Sequence, residues 1–250
     1  MAQRTPLEGR RVLVVGASSG IGRALAVAAG AAGARLSLAA RRLPLVEQTA
    51  DEIRTAGADV RAWRCDVTDP DDCRALVDAA ASFMGGIDMI LYLSGASPLL
   101  RVADATPAQW HDLLATNLVG AATVVAHALP HLRQATDPVV LVTTTTMGEH
   151  PWPWLTVYGS TKAALAEMAK GLRHEEPSLR VLCVAVGPTL TAFADGWDPE
   201  TATAAFTAWA EGAMMRHGVL EADAMASAII DAILDTGGPD DILIAADPAD

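Results

Sequence analysis

Two side chains in Thr156-Val157-Tyr158-Gly159-Ser160-Thr161-Lys162-Ala163-Ala164 have the types and spacing for proton transfer. The phenol of Tyr158 and the ammonium of Lys162 lie four residues apart, which on a helix puts them on one face, one turn from each other. A cation beside a phenol favours the phenolate. That prepares Tyr158 to exchange a proton with an alkoxide oxygen near neutral pH. Tyr-x-x-x-Lys also occurs in helices where the pair has no role, so the rest of the chain has to supply something for it to act on.

The first such element is a strand followed by a glycine turn. Arg10-Arg11-Val12-Leu13-Val14-Val15-Gly16 is a short run ending in glycine and apolar on both faces, as a buried parallel strand is. Gly16-Ala17-Ser18-Ser19-Gly20-Ile21-Gly22 follows and opens an alanine-rich helix from Arg23. In that order the glycines let the backbone turn tightly and approach a pyrophosphate, and the helix N-terminus offers free N–H groups to it. The spacing is G-x-x-x-G-x-G rather than the commoner dinucleotide pattern. The second strand, Arg35-Leu36-Ser37-Leu38-Ala39-Ala40, ends where a carboxylate would hold the ribose 2′-hydroxyl of NAD. Ala40 is followed by Arg41 and Arg42 instead. Two guanidinium groups and no carboxylate favour the 2′-phosphate of NADP(H).

The pattern continues as strand and helix in alternation. A helix from about Leu43 to Ala56 ends at Gly57, and a third strand covers 59–66 with Asp66-Val67 at its C-terminal end, where open α/β sheets bind ligands. Asp69-Pro70 starts a helix, and a fourth strand, 87–93, runs into Ser94-Gly95-Ala96. Thr106-Pro107 opens a helix to about His131 that contains Asn117, a poor mid-helix residue. A fifth strand, Asp137–Thr143, runs into Thr144-Thr145-Thr146-Met147-Gly148. Next comes the helix of Tyr158 and Lys162, to about His174. A sixth strand, Leu179–Val186, leads to Gly187-Pro188-Thr189-Leu190-Thr191, and a seventh covers 241–245. No linker interrupts the series, so one α/β domain over 1–250 is expected, with a doubly wound seven-stranded parallel sheet flanked by helices. Its cofactor part covers about 8–145, its catalytic and substrate part about 145–250, with a lid at about 190–218.

Taken together these motifs resemble the short-chain dehydrogenase/reductase family almost end to end, which implies a Rossmann-type domain. Gly16-x-x-x-Gly20-Ile21-Gly22 resembles the family's cofactor loop, and Ala40-Arg41-Arg42 its NADP-preferring version. Asp66-Val67 matches the pair that contacts adenine. Asn117, Tyr158 and Lys162 match three of four catalytic residues. Gly187 and Thr191 match the nicotinamide loop, with the Thr189 backbone beside them. The family's catalytic serine, thirteen residues before the tyrosine, is Thr145 here, and its Asn-Asn-Ala-Gly is Tyr92-Leu93-Ser94-Gly95. The proline before the nicotinamide-loop glycine is Val186, with Pro188 after it, and Ala246-Asp247-Pro248-Ala249-Asp250 replaces a glycine-rich ending.

The resemblance implies hydride transfer between NADP(H) and a carbonyl or secondary alcohol. Tyr158 is the acid/base, Thr145 holds the oxygen, Lys162 lowers the phenol pKa and binds the ribose, and Asn117 anchors a water leading to Lys162. Trp152-Pro153-Trp154 and the segment from Phe193 to Met215, with Trp197, Phe206, Trp209 and Met214, predict an apolar substrate under a lid. The competing expectation is a catalytically silent NADP-binding sensor or scaffold.

The net charge of −12 argues against nucleic acid and anionic membrane as partners. No apolar run suggests a membrane span, and the polar start Met1-Ala2-Gln3-Arg4 has no signal-peptide core, so a cytoplasmic protein is expected. Three cysteines, Cys65, Cys73 and Cys183, read as buried apolar residues. Histidines 111, 127, 131, 150, 174 and 217 have no metal-ligand spacing, and no metal is expected. The resemblance also implies a homodimer or homotetramer packed through the Asn117 and Tyr158 helices, where Ala121-Ala122 and Ala163-Ala164 allow close approach.

Overall fold

Parallel strands with two apolar faces need cover on both sides, and crossover helices supply it. In chain order the elements are β1 (Arg11–Val15), α1 (Gly20–Ala31), β2 (Arg35–Ala40), α2 (Leu43–Thr55), β3 (Val60–Arg64), α3 (Pro70–Met84), β4 (Met89–Tyr92), α4 (Pro107–Leu114), α5 (Gly120–Leu132), β5 (Val139–Thr145), α6 (Thr156–Glu175), β6 (Arg180–Val186), β7 (Thr189–Leu190), α7 (Pro199–Glu211), β8 (Leu220–Glu221), α8 (Ala222–Leu234) and β9 (Asp241–Ile244). The structure, a computed structural model, describes residues 5–148, 151–212, 214 and 218–247. The expectations placed on His150, Met215, His217, Met1–Arg4 and the last three residues lie outside them.

Seven strands form one sheet in the order β3-β2-β1-β4-β5-β6-β9, every neighbouring pair parallel. The expected sheet is therefore present. The order reverses direction between β1 and β4, which opens a crevice at their C-terminal ends. Alternation along each strand divides the core. Val12 and Val14 join Leu25, Val46, Ile53 and Ile229 on the side covered by α1, α2 and α8. Leu13 and Val15 join Cys73, Leu76, Val124 and Leu165 on the side covered by α3, α5 and α6. A third cluster, Met147, Leu155, Tyr158, Ala205 and Trp209, sits outside the sheet where α7 packs on the start of α6. All three cysteines are free and buried.

Two differences from the sequence reading have physical causes. The helix expected from Thr106 to about His131 begins with a capping box between Thr106 and Gln109, but it is broken by a π-turn at Ala115–Val119. Over Pro107–Leu132 the whole stretch is long and apolar enough, by length and composition, to cross a membrane, contrary to the expectation of no such run. Its apolar residues Leu113, Val124, Val125, Ala128 and Leu132 are buried in this fold, where α5 packs against α3. Core helices pass the same length test. The second difference is a two-residue parallel pairing of β7 with β8, the segments on either side of α7.

Candidate active site

The glycine turn after β1 is forced by close packing. Gly16 has φ +98°, and a Cβ there would lie 2.6 Å from the Ser94 backbone nitrogen. A Cβ on Gly22 would lie 2.2 Å from the Gly16 carbonyl oxygen. The bare backbone of residues 16–22 therefore lies against the end of β4. It forms one wall of a cleft of about 500 Å³. Ser18, Ser19, Gly20, Ile21, Arg41, Arg42, Ser94, Gly95 and Thr191 share the lining, together with Thr143, Phe193 and Trp197. A cleft of this volume, lined by the glycine turn, the N-terminus of α1 and two guanidinium groups, could hold a dinucleotide.

Arg42 is docked at that end. One guanidinium nitrogen donates to Ser18 Oγ at 3.3 Å and to Ser19 Oγ at 3.2 Å. Asp66 and Val67 stand outside the cleft lining. The Asp66 carboxylate accepts from the Thr68 N–H and hydroxyl at 3.0 and 2.8 Å. Burial works against its charge. The Thr68 hydrogen bonds and the nearby Arg41 and Arg64 outweigh burial and hold the carboxyl below its usual range. Gly187 and Thr189 shape the turn out of β6, with Thr189 Oγ1 donating to the Gly187 carbonyl at 3.0 Å. Thr191, which reaches the cleft, caps the next turn through Phe193 N–H at 3.2 Å.

Tyr158 and Lys162 lie on the buried face of α6, as the spacing requires, and are 6% and 4% exposed. Lys162 Nζ donates to the Thr143 carbonyl at 2.8 Å, across to the end of β5. Burial lowers its pKa to about 8, against a small opposing effect of Cys183, and burial raises the Tyr158 phenol above its ordinary value. Desolvation disfavours both charged forms, so in this structure burial overrides the expected promotion of a phenolate by Lys162.

Asn117 is fully buried. Its Nδ2 donates to Ala96 O at 3.0 Å and Thr161 Oγ1 at 2.9 Å, and its Oδ1 accepts from Ala96 N at 2.8 Å. Thr161 Oγ1 donates in turn to the Tyr158 carbonyl at 2.7 Å. Both amide hydrogens are engaged, so this side chain ties the β4–α4 loop to α6. Thr144 Oγ1 is turned to Cys183 Sγ at 3.8 Å, away from the cleft. Alternation therefore puts Thr145 on the face of Thr143, which lines the cleft.

A chain of aromatic rings closes the far end. Phe193 meets Tyr158 edge-on at 5.6 Å and Trp197 at 5.6 Å, and Trp197 meets Trp209 at 6.1 Å. Trp209 packs on Trp152 at 5.0 Å. Their indole N–H groups bond to backbone. Trp197 Nε1 donates to Ser97 O at 2.7 Å and Trp209 Nε1 to Pro153 O at 2.9 Å. Trp154, with φ +64°, stacks under the Arg101 guanidinium at 5.4 Å. Among the described residues no cluster of three or more His, Cys, Asp or Glu could hold a metal.

Sequence reasoning missed Thr161, Ala96 and the Thr143 and Ser97 carbonyls. Backbone acceptors carry no side-chain signature, and Thr161 has no periodic or charge signal of its own.

The chain is similar to known proteins in sequence and in fold. Residues 10–202 match the family model described as short chain dehydrogenase. The chain is 31% identical over 188 residues to a glycine betaine reductase of Emericella nidulans, a match covering 74% of this chain and 15% of that longer protein. An alcohol dehydrogenase from the archaeon Thermococcus sibiricus, solved with 5-hydroxy-NADP, superposes with TM-score 0.82 at 23% identity over 95% of this chain and 96% of that one. A short chain dehydrogenase/reductase from Burkholderia phymatum, solved with NAD, gives TM-score 0.82 at 23% identity over 95% and 89%.

Proposed function

The chain belongs to the short-chain dehydrogenase/reductase family of oxidoreductases, and on that premise we propose that it reduces the carbonyl group of a neutral apolar ketone with NADPH. The observation that carries the proposal is the placement of Tyr158 and Lys162. They are buried on one face of α6, outside the cleft lining but against two residues of it: Lys162 bonds Thr143, and Tyr158 meets the Phe193 ring. The reverse alcohol oxidation uses the same groups.

Residues 16–22, Arg41, Arg42, Ser94, Gly95 and Thr191 would hold the cofactor along the cleft, with Asp66, Val67, Gly187 and Thr189 shaping the turns beside it. When bound, the reduced nicotinamide supplies the hydride. Thr145 Oγ1 and Tyr158 Oη would hold the carbonyl oxygen by hydrogen bonds. Tyr158 Oη gives it a proton as negative charge develops. A phenol kept neutral by burial is the form that donates. Lys162 Nζ, anchored to the Thr143 carbonyl, places a cation beside the ring, 5.8 Å from its centroid. The rings of Phe193, Trp197 and Trp209 exclude water and accept an apolar body.

NADPH preference rests on Arg42 docked at Ser18 and Ser19, with Arg41 beside it. Assembly as a dimer or tetramer through α5 and α6 is supported by exposed Val119 and Ala163, whereas Ala121 is buried within its own protomer. A cytoplasmic setting is part of the same proposal. The deciding experiment follows NADPH oxidation over a panel of cyclic and aryl ketones. Turnover that falls about 10²–10⁴-fold in Tyr158→Phe, with NADPH binding retained, is the expected result. Tight NADPH binding with no turnover on any ketone would establish the silent sensor instead.

A further inference from the structure

Tyr92 ends β4 where the family's segment has an asparagine. Its ring is buried in the core beneath α3 and α5, and its hydroxyl donates to the Thr116 carbonyl at 2.8 Å. That carbonyl is free because the helix ladder skips it. In an α-helix the Gly120 N–H would bond the carbonyl four residues back, that of Thr116. Here it bonds the Ala115 carbonyl, five back. The π-turn and the phenol are thus two halves of one exchange, in which the turn releases an acceptor and the hydroxyl takes it. Gly120 leaves the room for this, since a Cβ there would lie 2.7 Å from Tyr92 Oη.

The residue after Thr116 is Asn117, whose amide ties Ala96 to Thr161, and Thr161 holds the carbonyl of Tyr158. A continuous line of hydrogen bonds and one peptide link therefore runs from Tyr92 Oη to the helix of Tyr158. We propose that Tyr92 is a positioning residue: its hydroxyl holds open the π-turn that aims Asn117 at Ala96 and Thr161, and so fixes the Tyr158 helix against the end of β4. This rests on the reductase reading for its catalytic consequence, and not for the structural link.

Tyr92→Phe keeps the ring and removes the hydroxyl. Two readouts test it. By amide hydrogen exchange the Ala96 N–H, bonded to Asn117 Oδ1, exchanges about tenfold faster in the variant, the equivalent of about one net hydrogen bond. Leu182, in β6, keeps its wild-type rate. In ketone reduction kcat falls about tenfold while the Kd for NADPH stays within about twofold. In an Asn117→Ala background the same change costs less than about twofold, because the line is already cut. Unchanged exchange at Ala96 overturns the link. An unchanged kcat in an active enzyme, or an equal loss in both backgrounds, overturns the positioning role. A wild-type chain that reduces no ketone fails the reductase reading alone, and the exchange measurement then decides Tyr92 by itself.

Discussion

Lys162 turns its ammonium to the backbone of the neighbouring strand: Nζ lies 2.8 Å from the Thr143 carbonyl oxygen and 5.8 Å from the centre of the Tyr158 ring. The amine that the spacing pairs with the phenol is thus held by a third group, at the end of β5. Thr143 also lines the cleft, so the anchor and the cofactor wall are one residue.

That burial makes stability depend on pH. Lys162 titrates near 8 in the folded chain and near its ordinary value of 10.5 when unfolded. Between those values the unfolded chain binds more protons, so stability rises with pH. Wild type should gain about 2–3 kcal/mol between pH 8 and 10 relative to Lys162→Met, measured by urea unfolding. Above pH 10 the raised Tyr158 phenol acts with the opposite sign, because the unfolded chain then releases a proton the folded chain keeps. Parallel curves for the two proteins would refute the buried-amine account.

On the proposed NADPH reading Arg42, docked on Ser18 and Ser19 at the cleft, pairs with the 2′-phosphate. Arg42→Ala should weaken NADPH roughly ten- to hundredfold and NADH less than about threefold, by titration of bound-cofactor fluorescence. Arg41→Ala, which lacks the serine contacts, should shift the ratio less. Equal weakening of both cofactors would show that neither arginine reads a 2′-phosphate.

Thr145 shares a face of β5 with Thr143, its Oγ1 accepts from the Met147 N–H at 3.4 Å, and on the proposed reading it holds the carbonyl oxygen. Thr145→Ser should keep turnover within about threefold, since the donor is retained and a methyl is removed. Thr145→Ala should lower kcat by roughly 10²-fold, the effect of losing one hydrogen-bond donor to a developing oxyanion. Loss of activity in the serine variant would assign the methyl group to substrate positioning.

Trp197 fastens the lid through Ser97 O. Trp197→Phe keeps an aromatic ring and removes that bond. It should raise KM for the ketone about three- to tenfold, the value of one net hydrogen bond, with NADPH affinity little changed. An unchanged KM would mean that the ring stack with Phe193 and Trp209 holds the lid without the indole N–H.

The sheet was legible because its information is local. Most of the seven strands are short apolar runs, with β3 alternating around Arg61 and Arg64, and Gly16 and Gly22 stand where only a glycine clears Ser94 and the Gly16 carbonyl. The shared face of Tyr158 and Lys162 follows from helical spacing alone. The π-turn between α4 and α5 was not legible, since Asn117 hints only at a weak helix while the hydroxyl that bonds the Thr116 carbonyl belongs to Tyr92, 24 residues upstream.

The sequence by itself determined the parallel sheet, the glycine turn with Arg41 and Arg42 beyond it, and the pairing of Tyr158 with Lys162. These follow from periodicity, from the absence of a Cβ and from charge type, all read within a few residues. Only the tertiary structure decided where Lys162 donates, that Asn117 is a strut, and that Trp197 closes on Ser97. Apart from Thr161 Oγ1, those partners are backbone groups brought near from a distant element, and backbone groups are the same in every residue, so no side-chain pattern can announce them.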